Sequence, residues 1–238
     1  MPILVITGTG TEVGKTVTTA AVAASALAVG RSVAVLKAAQ TGVRPHERGD
    51  ADEVARLAGA VTTAELARYP DPLAPATAAR RAGREPVRPR EVAEAAAKLA
   101  TEHDLVLVEG AGGLLVRLDE TGGTLADATE LLRAPVLVVA SPGLGTLNTT
   151  ELTARELRSR GVELLGVVIG SWPGSPDLAM RCNVTDLPDV AGAPLLGALP
   201  EGAGSLPPAD FRVRAPGWLA PRLDGSWSAE AFRAGTAP

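Results

Sequence analysis

The run Gly8-Thr9-Gly10-Thr11-Glu12-Val13-Gly14-Lys15-Thr16 carries the sharpest chemistry in this sequence. Glycines let backbone N–H groups turn inward around an anion, and a helix opening at the end of the loop adds partial positive charge. In that setting Lys15 bridges the β- and γ-phosphates of a nucleoside triphosphate, and Thr16 offers its hydroxyl to Mg²⁺. The strict pattern wants glycine where Thr9 stands. Here it comes one place earlier, at Gly8, so the loop is a residue longer than the standard form. The bland alternative is a glycine-rich turn without a ligand, but the apolar strand before it and the helical pattern after it are the context that phosphate binding requires.

A triphosphate site also needs a carboxylate for Mg²⁺, usually at the end of a neighbouring strand. Leu105-Val106-Leu107-Val108-Glu109 supplies one, followed by Gly110-Ala111-Gly112-Gly113. A carboxylate closing a buried strand is costly without a partner, so Glu109 either binds a metal or pairs with an arginine. A second strand ends at Lys37, in Lys37-Ala38-Ala39-Gln40-Thr41-Gly42. A lysine there neutralises charge on a transferring phosphoryl group or holds a carboxylated amine; otherwise it is a snorkelling strand end. Asp50 and Asp52 each fit a second Mg²⁺ carboxylate or a helix N-cap, and chemistry alone does not separate them. Ser141-Pro142-Gly143-Leu144-Gly145-Thr146-Leu147-Asn148 is a second glycine-containing turn before a helix. It suits a further anion such as a substrate carboxylate, or is an ordinary capped loop.

Positioning these residues requires strands and helices in alternation. Continuously apolar, β-branched runs at Ile3–Thr7, Ser32–Lys37, Leu105–Glu109, Val136–Ala140, Leu164–Ile169 and Leu195–Leu199 read as strands buried on both faces. Helical patterns lie between them at Thr16–Val29, Asp52–Ala58, Arg90–Glu102 and Asn148–Ser159. The alternation predicts an α/β fold, a single-domain, doubly wound, mostly parallel sheet over residues 1–238. The Pro- and Arg-rich segment Tyr69–Pro89 reads as a loop. The tail after about residue 203 reads as irregular structure with short helices, fraying at the end.

Composition removes other classes. A net charge of −4 is not built to neutralise a nucleic-acid backbone; the basic run Arg80, Arg81, Arg84, Arg88 and Arg90 reads as a solvated loop and helix start. The lone Cys182 forms no internal disulfide and has no nucleophile setting. His46 and His103 show no metal-ligand spacing. No stretch reaches the length of a membrane span, and the expectation is a soluble, cytoplasmic protein.

Taken together, these pieces resemble the dethiobiotin synthetase family. The likeness rests on Thr7–Thr16, Lys37–Gly42, Asp50, Val108–Gly113, Leu144–Asn148 and the strand Gly166–Trp172, and runs from residue 3 to about residue 202. The lengthened phosphate loop is the form this family uses. The resemblance implies a P-loop ligase of biotin biosynthesis. CO₂ carboxylates one amine of 7,8-diaminononanoate, the carbamate attacks the γ-phosphate of ATP or another triphosphate such as CTP, and the second amine closes the ring with release of phosphate. By the same likeness Glu12, Val13, Gly14, Lys15, Thr16 and Val17 wrap the phosphates, and Lys15 and Lys37 are catalytic. Thr16, Asp50 and Glu109 hold Mg²⁺, and Asp50 is preferred over Asp52 by analogy only. Gly110, Ala111 and Gly112 border the nucleotide, while Gly170, Ser171, Pro200, Glu201 and Gly202 fall where the family holds the base. Thr11, Lys37 and Thr41 contact substrate. The family works as a homodimer, with Gly145, Thr146, Leu147 and Asn148 at the turn that grips the substrate carboxylate across the interface.

Two departures stand out. The family more often has Pro-Val where Ala38-Ala39 stands, which should loosen the strand exit. An asparagine that reads adenine near position 170 is missing from Gly170-Ser171-Trp172, leaving backbone groups to read the base. Partitioning-type ATPases share the expected fold but need a second lysine where Gly10 stands. Cobyrinate amidoligases carry a glutaminase domain for which this chain is too short. A nucleotide sensor that has lost catalysis would not need Lys37, Thr41, Asp50 and Glu109 together.

Overall fold

The computed structural model describes residues 2–236. In chain order the elements are β1 (Ile3–Gly8), α1 (Lys15–Ala28), β2 (Val33–Lys37), β3 (Gln40–Thr41), α2 (Asp50–Ala58), β4 (Thr62–Glu65), β5 (Arg68–Tyr69), α3 (Pro75–Ala82), α4 (Pro89–Leu99), β6 (Leu105–Gly113), α5 (Leu125–Leu132), β7 (Val136–Ala140), α6 (Thr146–Ser159), β8 (Leu164–Trp172), α7 (Leu178–Ala191), β9 (Leu195–Pro200), α8 (Pro208–Arg214) and α9 (Ala229–Thr236). Among the described residues, seven strands form one sheet in the order β4-β2-β6-β1-β7-β8-β9, parallel at every pairing. β3 and β5 make a separate two-stranded ribbon.

Each expected apolar run is a strand, because residues apolar at every position can be buried on both faces only between two helix layers. Leu4, Ile6, Val33, Val35, Leu105 and Leu107 face α1 and α2, whereas Val5, Ala34, Leu36, Val106 and Val108 face the layer of α3, α4 and α5. α7 covers β8 and β9. The crossover from β6 to β7 passes over β1. This strand reversal opens a crevice at the carboxyl ends, where ligands of such sheets bind.

The segment Tyr69–Pro89 is not the loop its composition suggests. It contains α3, with Pro75 in the first helical turn and Gly83 left-handed at the end. Proline there gives up an amide that has no helical partner anyway, so it starts the helix instead of breaking it. Tyr69 is buried and donates its hydroxyl to the Glu85 carbonyl at 2.8 Å. Strand β4 is mostly polar (Thr62-Thr63-Ala64-Glu65), the pattern of a sheet edge, and gives no apolar run to read.

The tail forms short helical turns that close over α1. Phe211, Ala215, Leu219 and Leu223 are buried in the α1 cluster, with Trp218 edge-on to Phe211 at 5.3 Å between ring centres. The expectation of fraying at the extreme end falls on Ala237 and Pro238, which lie outside the described residues.

Candidate active site

Register decides the centre of the site. In the parallel pair β2 and β6, Lys37 stands opposite Glu109. Side chains two apart share a face, so Lys37 follows Val33 and Val35, and Glu109 follows Leu105 and Leu107, toward α1. On α1, Thr16 and Thr19 are three residues apart and share the side facing the sheet. These four side chains converge, and Asp50 joins them from α2. Lys37 Nζ donates to Glu109 Oε1 at 2.8 Å, to the Gly110 carbonyl at 3.0 Å and to Asp50 Oδ2 at 2.5 Å. Thr16 Oγ1 donates to Glu109 Oε1 at 2.9 Å, and Thr19 Oγ1 lies 2.7 Å from Glu109 Oε2.

Lys37 and Glu109 are 3% and 1% exposed. Lys37 is therefore no snorkelling strand end, and the partner of Glu109 is this lysine, not an arginine. Burial alone would lower the lysine's pKa, but the Glu109 and Asp50 carboxylates outweigh it and hold the ammonium above its ordinary value. Lys15 is in the opposite condition. Burial and the nearby Lys37 charge push its pKa down, only partly offset by Glu109 and Asp50. Its Nζ rests on the Gly10 carbonyl at 2.9 Å. A desolvated cation with no carboxylate in contact among the described residues favours an anion beside it.

Asp50 opens α2, and its amide donates to Gln40 Oε1 at 2.7 Å. Asp52 sits two residues on, accepts from the Gly49 amide at 2.9 Å and faces Arg68 at 3.5 Å. The helix period thus sends Asp50 to Lys37 and leaves Asp52 as the cap.

The phosphate loop joins β1 to α1. No side chain caps α1 and its first turn holds no acidic residue, so the orphan amides of that turn remain for an anion. A Cβ on Gly8 would lie 2.8 Å from the Gly10 carbonyl and 2.7 Å from a Val13 methyl, which is why glycine is needed at that earlier place. Gly14 (φ +92°) and Gly170 press backbone to backbone: a Cβ on Gly170 would stand 2.0 Å from the Val13 carbonyl.

A cavity of about 720 Å³ opens over the loop. Of the expected residues, Thr11, Glu12, Gly14, Lys15, Thr16, Val17, Lys37, Thr41, Asp50, Ala111 and Gly112 line it. Glu109 and Gly110 lie beneath, joined to it through Lys37. Val13 packs against the α1 core cluster. Gly170 meets the loop from its β8 side, Ser171 follows it, and Pro200, Glu201 and Gly202 are exposed at the end of β9, where the Glu201 amide donates to the Trp172 carbonyl at 2.7 Å. None of these five lines the cavity, and neither do Gly145, Thr146, Leu147 or Asn148 at the start of α6. At Ala38-Ala39 the Ala38 amide, which a proline would lack, donates to the Glu109 carbonyl at 3.2 Å.

Several site residues escaped the sequence reading. Thr19 could have been found from its spacing to Thr16 on one helix face. Gln40, buried beside Lys37 and Thr41, was within a quoted motif but carried no charge to draw attention. Pro72, Leu73 and Pro75 belong to the segment read as a loop. Among the described residues no group of three or more His, Cys, Asp or Glu is placed to hold a metal ion by itself. Cys182 is exposed, and His103 is engaged with the Leu99 carbonyl and the Thr62 hydroxyl. One hydroxyl and two carboxylates form an all-oxygen donor set, which fits Mg²⁺, a cation that takes one or two carboxylates and completes its shell with phosphates and water.

A family model described as an AAA domain matches residues 3–208. A Streptomyces coelicolor protein named ATP-dependent dethiobiotin synthetase BioD is 80% identical over 232 residues, covering 98% of each chain. The protein of that name in Corynebacterium kroppenstedtii is 48% identical over 225 residues, 94% of this chain and 97% of its own. Among solved structures, the cell division ATPase MinD of Pyrococcus furiosus superposes with a TM-score of 0.58 at 20% identity, over 100% of this chain and 99% of that one. That likeness is one of fold.

Proposed function

The chain belongs to the dethiobiotin synthetase family, and from that premise we propose that it forms dethiobiotin from 7,8-diaminononanoate, CO₂ and ATP in biotin biosynthesis. The observation that carries this reading is the buried Lys37–Glu109 pair, joined by the half-buried Asp50 and set against the phosphate loop. A bare nucleotide sensor has no use for a lysine desolvated there.

In this reading the loop amides and Lys15 hold the β- and γ-phosphates. Thr16, Asp50 and Glu109 hold Mg²⁺, which when bound supplies positive charge to the phosphate oxygens. Thr11, Lys37 and Thr41 face the diamine. One amine adds to CO₂ and gives up a proton, the resulting carbamate oxygen attacks the γ-phosphorus, and the nucleoside diphosphate leaves. The second amine then attacks the carbonyl of the carbamoyl phosphate, expels phosphate and closes the ring. Lys37 stabilises the negative charge of carbamate and phosphoryl oxygens from a site where water does not screen it. Gly110, Ala111 and Gly112 border the nucleotide. Its base rests near Gly170, Ser171, Pro200, Glu201 and Gly202, read through backbone groups, so CTP and other triphosphates serve to some degree. The turn Gly145–Asn148 grips the carboxylate of substrate bound to a second copy in a homodimer, as its place off this chain's own cavity suggests. No helix among the described residues is long and apolar enough to cross a membrane. The compartment proposed for the reaction is the cytoplasm.

The test is mass-spectrometric detection of dethiobiotin from the purified protein supplied with diaminononanoate, bicarbonate, Mg²⁺ and ATP, with Lys37→Ala as control. Nucleotide binding without product from the wild-type chain would sink the reading.

A further inference from the structure

Thr19 is fully buried on α1, and its hydroxyl lies 2.7 Å from Glu109 Oε2 and 2.9 Å from the Lys15 carbonyl. It has one proton for two acceptors. A helical threonine ordinarily back-bonds to the carbonyl four residues before it. That carbonyl already receives the helix amide, whereas Glu109 Oε2 has no other hydrogen-bond donor among the described residues. A carboxylate also draws the stronger hydrogen bond, so the proton goes to Glu109.

The two oxygens of Glu109 therefore have separate duties. Oε1 meets Thr16 and Lys37 on the cavity side; Oε2 is tied back into α1 by Thr19. We propose that Thr19 is a positioning residue that fixes the Glu109 carboxylate so that Oε1 is presented to the divalent cation. The proposal rests on the reading of Glu109 as a ligand of that cation. Without the hydroxyl, Oε2 loses its donor, and the rotation that keeps Oε1 beside Thr16 on the cavity side is no longer fixed. Thr16 differs in kind: it touches the cavity, and Thr19 does not.

The experiment measures Mn²⁺ binding by electron paramagnetic resonance in the full chain, saturated with a non-hydrolysable triphosphate analogue. The Mg²⁺ dependence of turnover is followed in parallel. Loss of a partner that orients a metal ligand costs about tenfold or more in metal affinity. Thr19→Val is expected to weaken Mn²⁺ by that factor and to raise the Mg²⁺ requirement, with Thr19→Ser close to wild type. Thr19→Ala repeats the test should the valine variant not fold. Wild-type Mn²⁺ affinity in the folded valine or alanine variant overturns the proposal. So does a serine variant as weak as valine, or failure of both hydroxyl-free variants to fold, since the hydroxyl would then be structural. Glu109→Gln separates the two levels. If it leaves Mn²⁺ binding unchanged, the metal-site reading falls; if it weakens binding while Thr19→Val does not, only the role of Thr19 falls.

Discussion

All three ammonium hydrogens of Lys37 have acceptors, in Asp50, Glu109 and the Gly110 carbonyl. A lysine so held is pre-organised, and its removal strands a carboxylate that is 1% exposed. Breaking a buried pair by deleting one member costs about 3 kcal/mol or more. Lys37→Ala is thus expected to lower the denaturant midpoint and abolish dethiobiotin formation while leaving nucleotide binding measurable, because Lys15 and the loop amides remain. Equilibrium unfolding and titration with a fluorescent nucleotide check both halves. Full turnover in the variant would remove Lys37 from the mechanism.

Elements place these residues through contacts that tolerate little. The loop between β1 and α1 is backed by β8 at Gly170, where a methyl group would stand 2.0 Å from the Val13 carbonyl. Overpacking of this kind costs about 2 kcal/mol, and here the part that must yield is the loop itself. Gly170→Ala is expected to raise the KM for nucleotide well before it unfolds the chain, measured by steady-state kinetics beside a melting curve. Away from the site, Asp127 ties α5 to α6. It accepts from the Thr124 hydroxyl and amide and from Arg160. Burial would raise its pKa, but these donors outweigh it and hold the carboxyl below its usual range. A depressed folded pKa gives stability that is present above the unfolded value of about 3.9 and lost as pH falls through the folded one. The stability gap between wild type and Asp127→Asn should therefore be full at neutral pH and shrink below about pH 4, as read from melting temperatures across pH.

At the scale of the whole molecule, the C-terminal turns are a lid on the core. Phe211 is fully buried against the α1 layer that carries Lys15, Thr16 and Thr19. Phe211→Ala is expected to cost about 3 kcal/mol or more, roughly 6 to 12 °C in melting temperature for a domain of this size, by calorimetry. Assembly is the other property at this scale. Leu144 is 89% exposed at the tip of the turn before α6, where the proposed second copy would sit. Leu144→Glu is expected to yield monomers by light scattering and to lose turnover together with the dimer; a fully active monomer would refute the shared site.

What the sequence determined by itself was six of the sheet's seven strands, the phosphate loop and the acidic and basic strand ends. Each is written in neighbouring residues: unbroken apolar runs, glycines at fixed offsets, a charge closing a strand. Local pattern misled where one residue type has two uses, as with the prolines that start α3. Only the tertiary structure decided who meets whom. That Glu109 pairs with Lys37, 72 residues away, follows from β2 lying beside β6 in one particular register. That Asp50 and not Asp52 reaches the lysine follows from how α2 is rotated on the sheet. Thr19 acquires a role only because α1 lies over the end of β6. Strand order, register and helix rotation are set by the packing of the whole core, and no short stretch of chain contains that information.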